Sequence, residues 1–193
     1  MRATPFLIII FSLQSLNCGT NDSSSEFPEL VFRRDNALLS SVLTFDNLSL
    51  SIPLDYEELT GEKYSNVEEK FEIGDNNYFN VDLLSAYQYP HGQVIFISKI
   101  LETKQIYNFL NEDYELGLIE ILNASKTEKG KFLVNGQETV QYITANNSFI
   151  NYRLFYNVKN KNSYMIDYFV PLKLFAKLQS SLESSISTIT IKK

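Results

Sequence analysis

One cysteine, one histidine and no tryptophan occur in 193 residues. A lone cysteine excludes a disulfide framework within the chain and any multi-cysteine zinc or iron–sulfur site. A lone histidine excludes a histidine-rich metal site. There is no surplus of positive charge: the formal net charge of −6 argues against a general nucleic-acid or anionic-lipid surface, so no nucleic-acid partner is expected. Glycine-rich phosphate loops, dinucleotide fingerprints and zinc-ligand spacings are all missing. No cofactor and no metal are therefore expected. What is present is an ordinary globular composition, 44% hydrophobic and 21% charged. That suits one domain of typical size and is far from the low hydrophobicity of a disordered chain.

The longest early apolar run, Pro5 to Leu13, is nine residues. A bilayer needs roughly 20. After the basic Met1-Arg2 segment the run has the proportions of a signal-peptide core. Gln14, Ser15 and Asn17 follow, then Cys18 at the head of Gly19-Thr20-Asn21-Asp22-Ser23-Ser24-Ser25. This arrangement resembles a bacterial lipoprotein signal, in which the cysteine sulfur carries diacylglycerol and the residue becomes the mature N-terminus. The usual box has leucine three places before the cysteine and a small residue just before it; Ser15 and Asn17 stand there instead. The resemblance implies residues 1–17 as signal peptide, 18–40 as lipidated cysteine and flexible tether, and 41–193 as one domain. It implies a membrane contact through fatty acyl chains such as palmitate, a place in the cell envelope, and another envelope protein as partner. Gly19 replaces the aspartate that retains such proteins in the inner membrane of enteric bacteria, which favours the outer one. Cys18 is an attachment point, not a catalytic thiol.

The body is unevenly charged. Residues 1–100 hold fourteen acids and six bases, and Asp55 to Asp75 alone holds eight acids and two lysines. Such a run reads as a solvated loop or helix face, with loose cation binding as the alternative. Strands are expected at Phe45 to Ile52, stopped by Pro53, at Tyr78 to Ala86 and at Gln93 to Leu101, the last two joined by turn residues Tyr87 to Gly92. Phe132-Leu133-Val134 runs into Asn135-Gly136, a strong hairpin signal, and Thr139 to Thr144 returns. Phe149 to Val158 puts Ile150, Tyr152, Leu154, Tyr156 and Val158 on one face and Asn151, Arg153 and Asn157 on the other. Tyr164 to Val170 repeats the alternation. Thr103 to Leu122 reads as helix, broken at Asn111 and Gly117. Leu174, Phe175, Leu178, Leu182 and Ile186 make a clear helical stripe before a last strand, Thr188 to Ile191. Short connections demand an antiparallel sheet, and helices attached to it make an α+β sandwich.

The order of elements resembles the PsbP/Mog-like fold, including the DcrB-type bacterial lipoproteins. Phe45 to Tyr56, Phe132 to Thr139 and Phe175 to Ile191 carry the likeness. It implies an antiparallel β-sheet flanked by helices, an α/β/α sandwich, and a binding, assembly or chaperone-like role without catalytic residues.

Catalytic chemistry finds little support. His91 would have to serve any Ser-His or Cys-His pair, and it sits in a Tyr-Pro-His-Gly turn with no Gly-x-Ser-x-Gly elbow elsewhere. Glu57-Glu58 and Glu68-Glu69 are adjacent acids in a polar run, not carboxyls facing across a cleft. Asp75 to Asp82 lacks the glycine and closing glutamate of a calcium loop. Fourteen phenylalanines and twelve tyrosines are the unusual feature. Tyr152, Tyr156, Tyr164 and Tyr168 are expected as cross-strand pairs under the closing helix, and Tyr87 and Tyr89, beside His91, as exposed aromatics able to anchor a ligand. The reading is a lipid-anchored envelope protein acting as a non-enzymatic interaction or assembly module. Its rivals are an envelope hydrolase and a secreted eukaryotic glycoprotein, with sequons at Asn47, Asn123 and Asn146.

Overall fold

A computed structural model describes residues 27–75, 78, 80–101, 110–157 and 163–192. Cys18 and the expected signal segment lie outside the described residues. The fold is α+β. Seven antiparallel strands form the main sheet, in the order β3-β4-β5-β9-β8-β7-β6. They are β3 (Glu57–Glu58), β4 (Val81–Gln88), β5 (Val94–Ile100), β6 (Lys126–Val134), β7 (Gln137–Ala145), β8 (Phe149–Tyr156) and β9 (Ser163–Pro171). A smaller sheet joins β1 (Leu39–Phe45), β2 (Leu48–Pro53) and β10 (Thr190–Ile191) in the order β1-β2-β10.

The alternation in β8 and β9 decides the layers. Tyr152 pairs with Tyr168 and Tyr156 with Tyr164 across the two strands. These rings, with Leu154, Ile166, Ile95 and Ile97, face the small sheet and α3 (Phe175–Ile186), which contribute Leu48, Leu50, Ile52, Leu182 and Ile186 to the same core. The opposite face packs against two other helices. On it α1 (Gly61–Asp75) covers Leu83, Ala86 and Phe96 with Tyr64 and Val67. There too α2 (Glu112–Ile121) seats Tyr114 and Leu118 on Val140, Tyr142, Phe155 and Met165. The expected sandwich is present, with the small sheet sharing the layer of α3.

Hydroxyls join α3 to the small sheet. Ser185 Oγ donates to the Ser51 carbonyl at 2.7 Å, and the Ser51 amide donates to Thr188 Oγ1 at 2.8 Å. The last strand therefore pairs with β2 and not with the main sheet.

Three expectations are corrected. Phe45 to Ile52 is not one strand: Phe45 ends β1 and Leu48 to Ile52 belong to β2, because Asp46 adopts φ 50° and reverses the chain at Asp46-Asn47. Residues 28–40 are not all tether: the Leu133 amide donates to the Pro28 carbonyl at 2.9 Å, the Leu30 amide donates to the Leu133 carbonyl at 2.8 Å, and β1 begins at Leu39. A helix does start at Asn111, whose side-chain oxygen accepts the Tyr114 amide and caps α2. Gly117 does not interrupt it. A Cβ there would lie 1.8 Å from the Tyr78 hydroxyl oxygen, so this glycine lets a tyrosine seat against the helix. Residues 102–109 lie outside the described residues.

Candidate functional site

The strongest concentration of polar and aromatic groups at the surface is the end of the main sheet where β4 turns into β5. The turn is closed by the Tyr89 amide on the Gln93 carbonyl and the Gly92 amide on the Tyr89 carbonyl, both 2.9 Å. Gly92 has φ 97°, a conformation that favours glycine. The turn brings three sequence-singled residues together, but it does not expose them all. Tyr87 and Tyr89 are only 7% and 9% exposed, whereas His91 is exposed.

The reason is long-range packing. Tyr87 points into the core beneath α3 and the small sheet. Tyr89 packs on Val170 and Leu178 and lies 5.4 Å from the Tyr56 ring. From α3, Lys177 Nζ donates to the Tyr89 hydroxyl at 3.1 Å and stands 5.6 Å from its ring centre. His91 meets the edge of the same ring at 5.5 Å. Tyr56 donates to Gln93 Oε1, and Gln93 Nε2 is buried without a hydrogen-bond partner among the described residues. Burial raises the Tyr56 phenol well above its ordinary range, helped by the nearby Tyr168 and Tyr89. Burial also raises Tyr87, with Glu58 adding to it. These phenols stay neutral at physiological pH and act as hydrogen-bond groups, not as bases.

Beside this corner lies an open cleft of about 610 Å³, lined by Glu57, Glu58, Leu59, Glu62, Lys63 and Gln88, among others. Glu58 Oε1 accepts from Ser85 Oγ at 2.7 Å. Glu57, Glu58 and Glu62 give the cleft its acidic character. Among the described residues, no group of three or more His, Cys, Asp or Glu side chains is arranged to hold a metal ion.

A second polar group was not singled out from the sequence. Arg153 and Asp167 are register partners on β8 and β9, on the face covered by α2. Asp167 is fully buried and Arg153 is 3% exposed. Asp167 Oδ1 accepts from Arg153 Nε at 2.8 Å and Asn151 Nδ2 at 2.9 Å, while Arg153 Nη1 donates to the Tyr114 hydroxyl at 2.7 Å. The network ties β8, β9 and α2 together. An acid alone within the apolar β9, at the position facing Arg153, was the available signal.

Two of the sequons named above are engaged structurally. The Asn47 side chain donates to the Lys192 carbonyl and accepts from Tyr164. Asn146 Nδ2 donates to the Leu122 carbonyl at 3.0 Å, and its oxygen accepts the Ser148 and Phe149 amides. A glycan on either nitrogen would remove a donor that the fold uses. Asn123 is exposed.

No model of a known protein family matches the sequence, and no curated protein matches it. Solved structures show similarity of shape. The chain is similar to LpqN, involved in cell envelope biogenesis of Mycobacterium tuberculosis, at 11% identity and TM-score 0.48 over 76% of this chain and 83% of that one. It is similar to CyanoP, the cyanobacterial PsbP of Synechocystis sp. PCC 6803, at 10% identity and TM-score 0.46 over 91% and 99%. A protein from Bacteroides thetaiotaomicron matches at 14% identity and TM-score 0.42 over 76% of this chain and 46% of its own.

Proposed function

We propose that the chain is a lipid-anchored cell-envelope protein whose α+β domain works as a non-enzymatic interaction or assembly module, with the outer membrane as its favoured location. The observation that carries the reading is the position of Cys18. It follows a nine-residue apolar run by five residues and precedes Pro28, where the chain joins β6, by ten. Ten residues span at most about 35 Å when extended, so an acylated Cys18 keeps the Leu133 end of β6 within that distance of the lipid.

The aromatic corner supports the same reading. Strand directions put the β4–β5 turn at the opposite end of the sheet from Leu133 and five strands away. At ~3.3 Å per residue and ~4.8 Å per strand the diagonal is about 30 Å. His91, Lys177 and the acidic cleft thus lie at the end of the domain remote from the point where the tether enters it, where a second envelope protein can reach them.

The test is the intact mass of the mature protein isolated from its own cells. The expected N-terminal residue is Cys18 with a diacylglyceryl thioether, and residues 1–17 absent. A mature chain with an unmodified cysteine, or with glycans on Asn123, overturns the proposal.

A further inference from the structure

The main sheet ends in two strands of opposite charge. At one edge β3 is Glu57-Glu58, followed by Glu62 and Lys63 at the start of α1, all exposed. At the other edge β6 carries Lys126, Lys129 and Lys131 against a single acid, Glu128. Lys129 is held at 3.1 Å by Glu115 of α2 and the exposed Lys126 pairs with Glu128 on its own strand, while Lys131 is exposed.

Backbone groups at both edges face outward. In β6, Leu133 turns its amide and carbonyl away from β7, as its bonds to Pro28 and Leu30 show. The ladder to β7 has no bulge, so by the period of two Lys131, Lys129 and Thr127 face the same way. No described residue pairs with their backbone. In β3, the Leu59 amide bonds to the Ala86 carbonyl, which leaves the backbone of Glu58 directed outward.

The two edges also stand at one level. The register runs Glu58 to Tyr87, Ile95, Tyr168, Tyr152, Ile143 and Glu128 in a single row across the sheet. Glu57 lies in the next row with Thr127 at its far end, so the acids of one edge are level with the stretch flanked by Lys126 and Lys129.

We propose that this domain self-associates head to tail, the β3 edge of one copy against the β6 edge of a second copy. Pairing like edges would bring acids against acids or lysines against lysines, which charge disfavours. The contact is therefore heterologous and not two-fold. A twist of about 20–25° per strand, accumulated over seven strands, rotates each successive copy and prevents a flat array. Among the described residues, Pro28 to Leu30 bond to the backbone of β6 at its Leu133 end, and no such bond reaches 126–131. The contact does not depend on acylation of Cys18.

Carbodiimide coupling of the full-length chain tests it, because it joins only lysine and carboxylate groups already in contact. An equal mixture of unlabelled and nitrogen-15 chains distinguishes links between copies from links within one. The expected mixed-isotope links join Glu57 or Glu58 to Lys126 or Lys131, and fall at least tenfold at about 1 M salt, where screening leaves a range of ~3 Å. Chains carrying Glu57→Lys with Glu58→Lys should not link at these edges, nor should chains carrying Lys126→Glu with Lys131→Glu. Mixing the two variants should restore linkage between those four positions. Absence of mixed-isotope links between the edges, links joining like edges, or failure of the mixed variants to link overturns the proposal.

Discussion

Replacing Asp167 by alanine should destabilise the fold by about 3–5 kcal/mol, the largest loss expected from any single surface-neutral exchange in the chain. Arg153 would keep its charge at 3% exposure after losing the carboxylate that accepts from its Nε. Desolvation of a buried guanidinium that has lost this carboxylate dominates, and the loss of the Asn151 bond adds to it. The Tyr114 hydroxyl remains as an acceptor for Arg153, which softens the effect without offsetting it. Replacing both partners, Arg153→Met with Asp167→Leu, should cost far less than the single exchange, because no buried charge is then left unpaired. Urea unfolding followed by circular dichroism checks both. A single-exchange cost below about 1 kcal/mol would mean that the pair is not buried as described.

The second large effect is alkaline. Tyr156 and Tyr168 are fully buried and their phenols are raised well above the ordinary value of about 10. Burial is the main cause in each, and Tyr152 is pushed up to about 12 by burial and by Glu183. Above pH 10 the unfolded chain releases these protons and the folded chain keeps them, so the unfolded state binds fewer protons and stability falls as pH rises. The contribution is complete below pH 10 and is lost through the folded values. Two fully buried phenols alone give a slope of about 3 kcal/mol per pH unit. The expected result is a cooperative unfolding transition above pH 10, with most phenolate absorbance appearing together with loss of structure. Gradual ionisation of all twelve tyrosines near pH 10, with the fold intact, would contradict the burial of the aromatic layer.

The same residues show how far the sequence reaches. Tyr152, Leu154 and Tyr156 of β8 and Tyr164, Ile166 and Tyr168 of β9 recur with a period of two, and a short connection forces their strands to pair, so their facing positions follow from period and register alone. Asn135-Gly136 is as local a signal: both residues take positive φ in the turn, 50° and 71°. The hairpin at Asp46-Asn47 was concealed because Phe45, Leu48, Leu50 and Ile52 look like one apolar strand, although the spacing of three between Phe45 and Leu48 breaks the alternation. Asn151 and Arg153 share the face of β8 opposite its tyrosines, and polarity usually marks a solvent face. Here α2 covers them, and nothing local to β8 announces a helix nearly 40 residues earlier. Tyr89 was misjudged for a related reason: a turn tyrosine is buried only because Lys177 and Leu178, almost 90 residues later, close over it. The acidic cleft was visible as a charge run, but its position beside Gln88 depends on two residues of β3 pairing with β4.

The role proposed for the aromatic corner and its neighbouring cleft rests on where the chain is tethered. Two acyl chains hold firmly at ~0.8 kcal/mol per buried methylene, whereas a bare polar segment does not hold at all. Substituting Cys18→Ser in the full-length chain and following precursor size and detergent-phase partitioning in the native cell is the most direct measurement. The wild-type protein should be processed and enter the detergent phase, and the variant should accumulate at precursor length and lose that partitioning. Identical processing and partitioning of the two would contradict acylation at Cys18 and, with it, the anchored display of the domain.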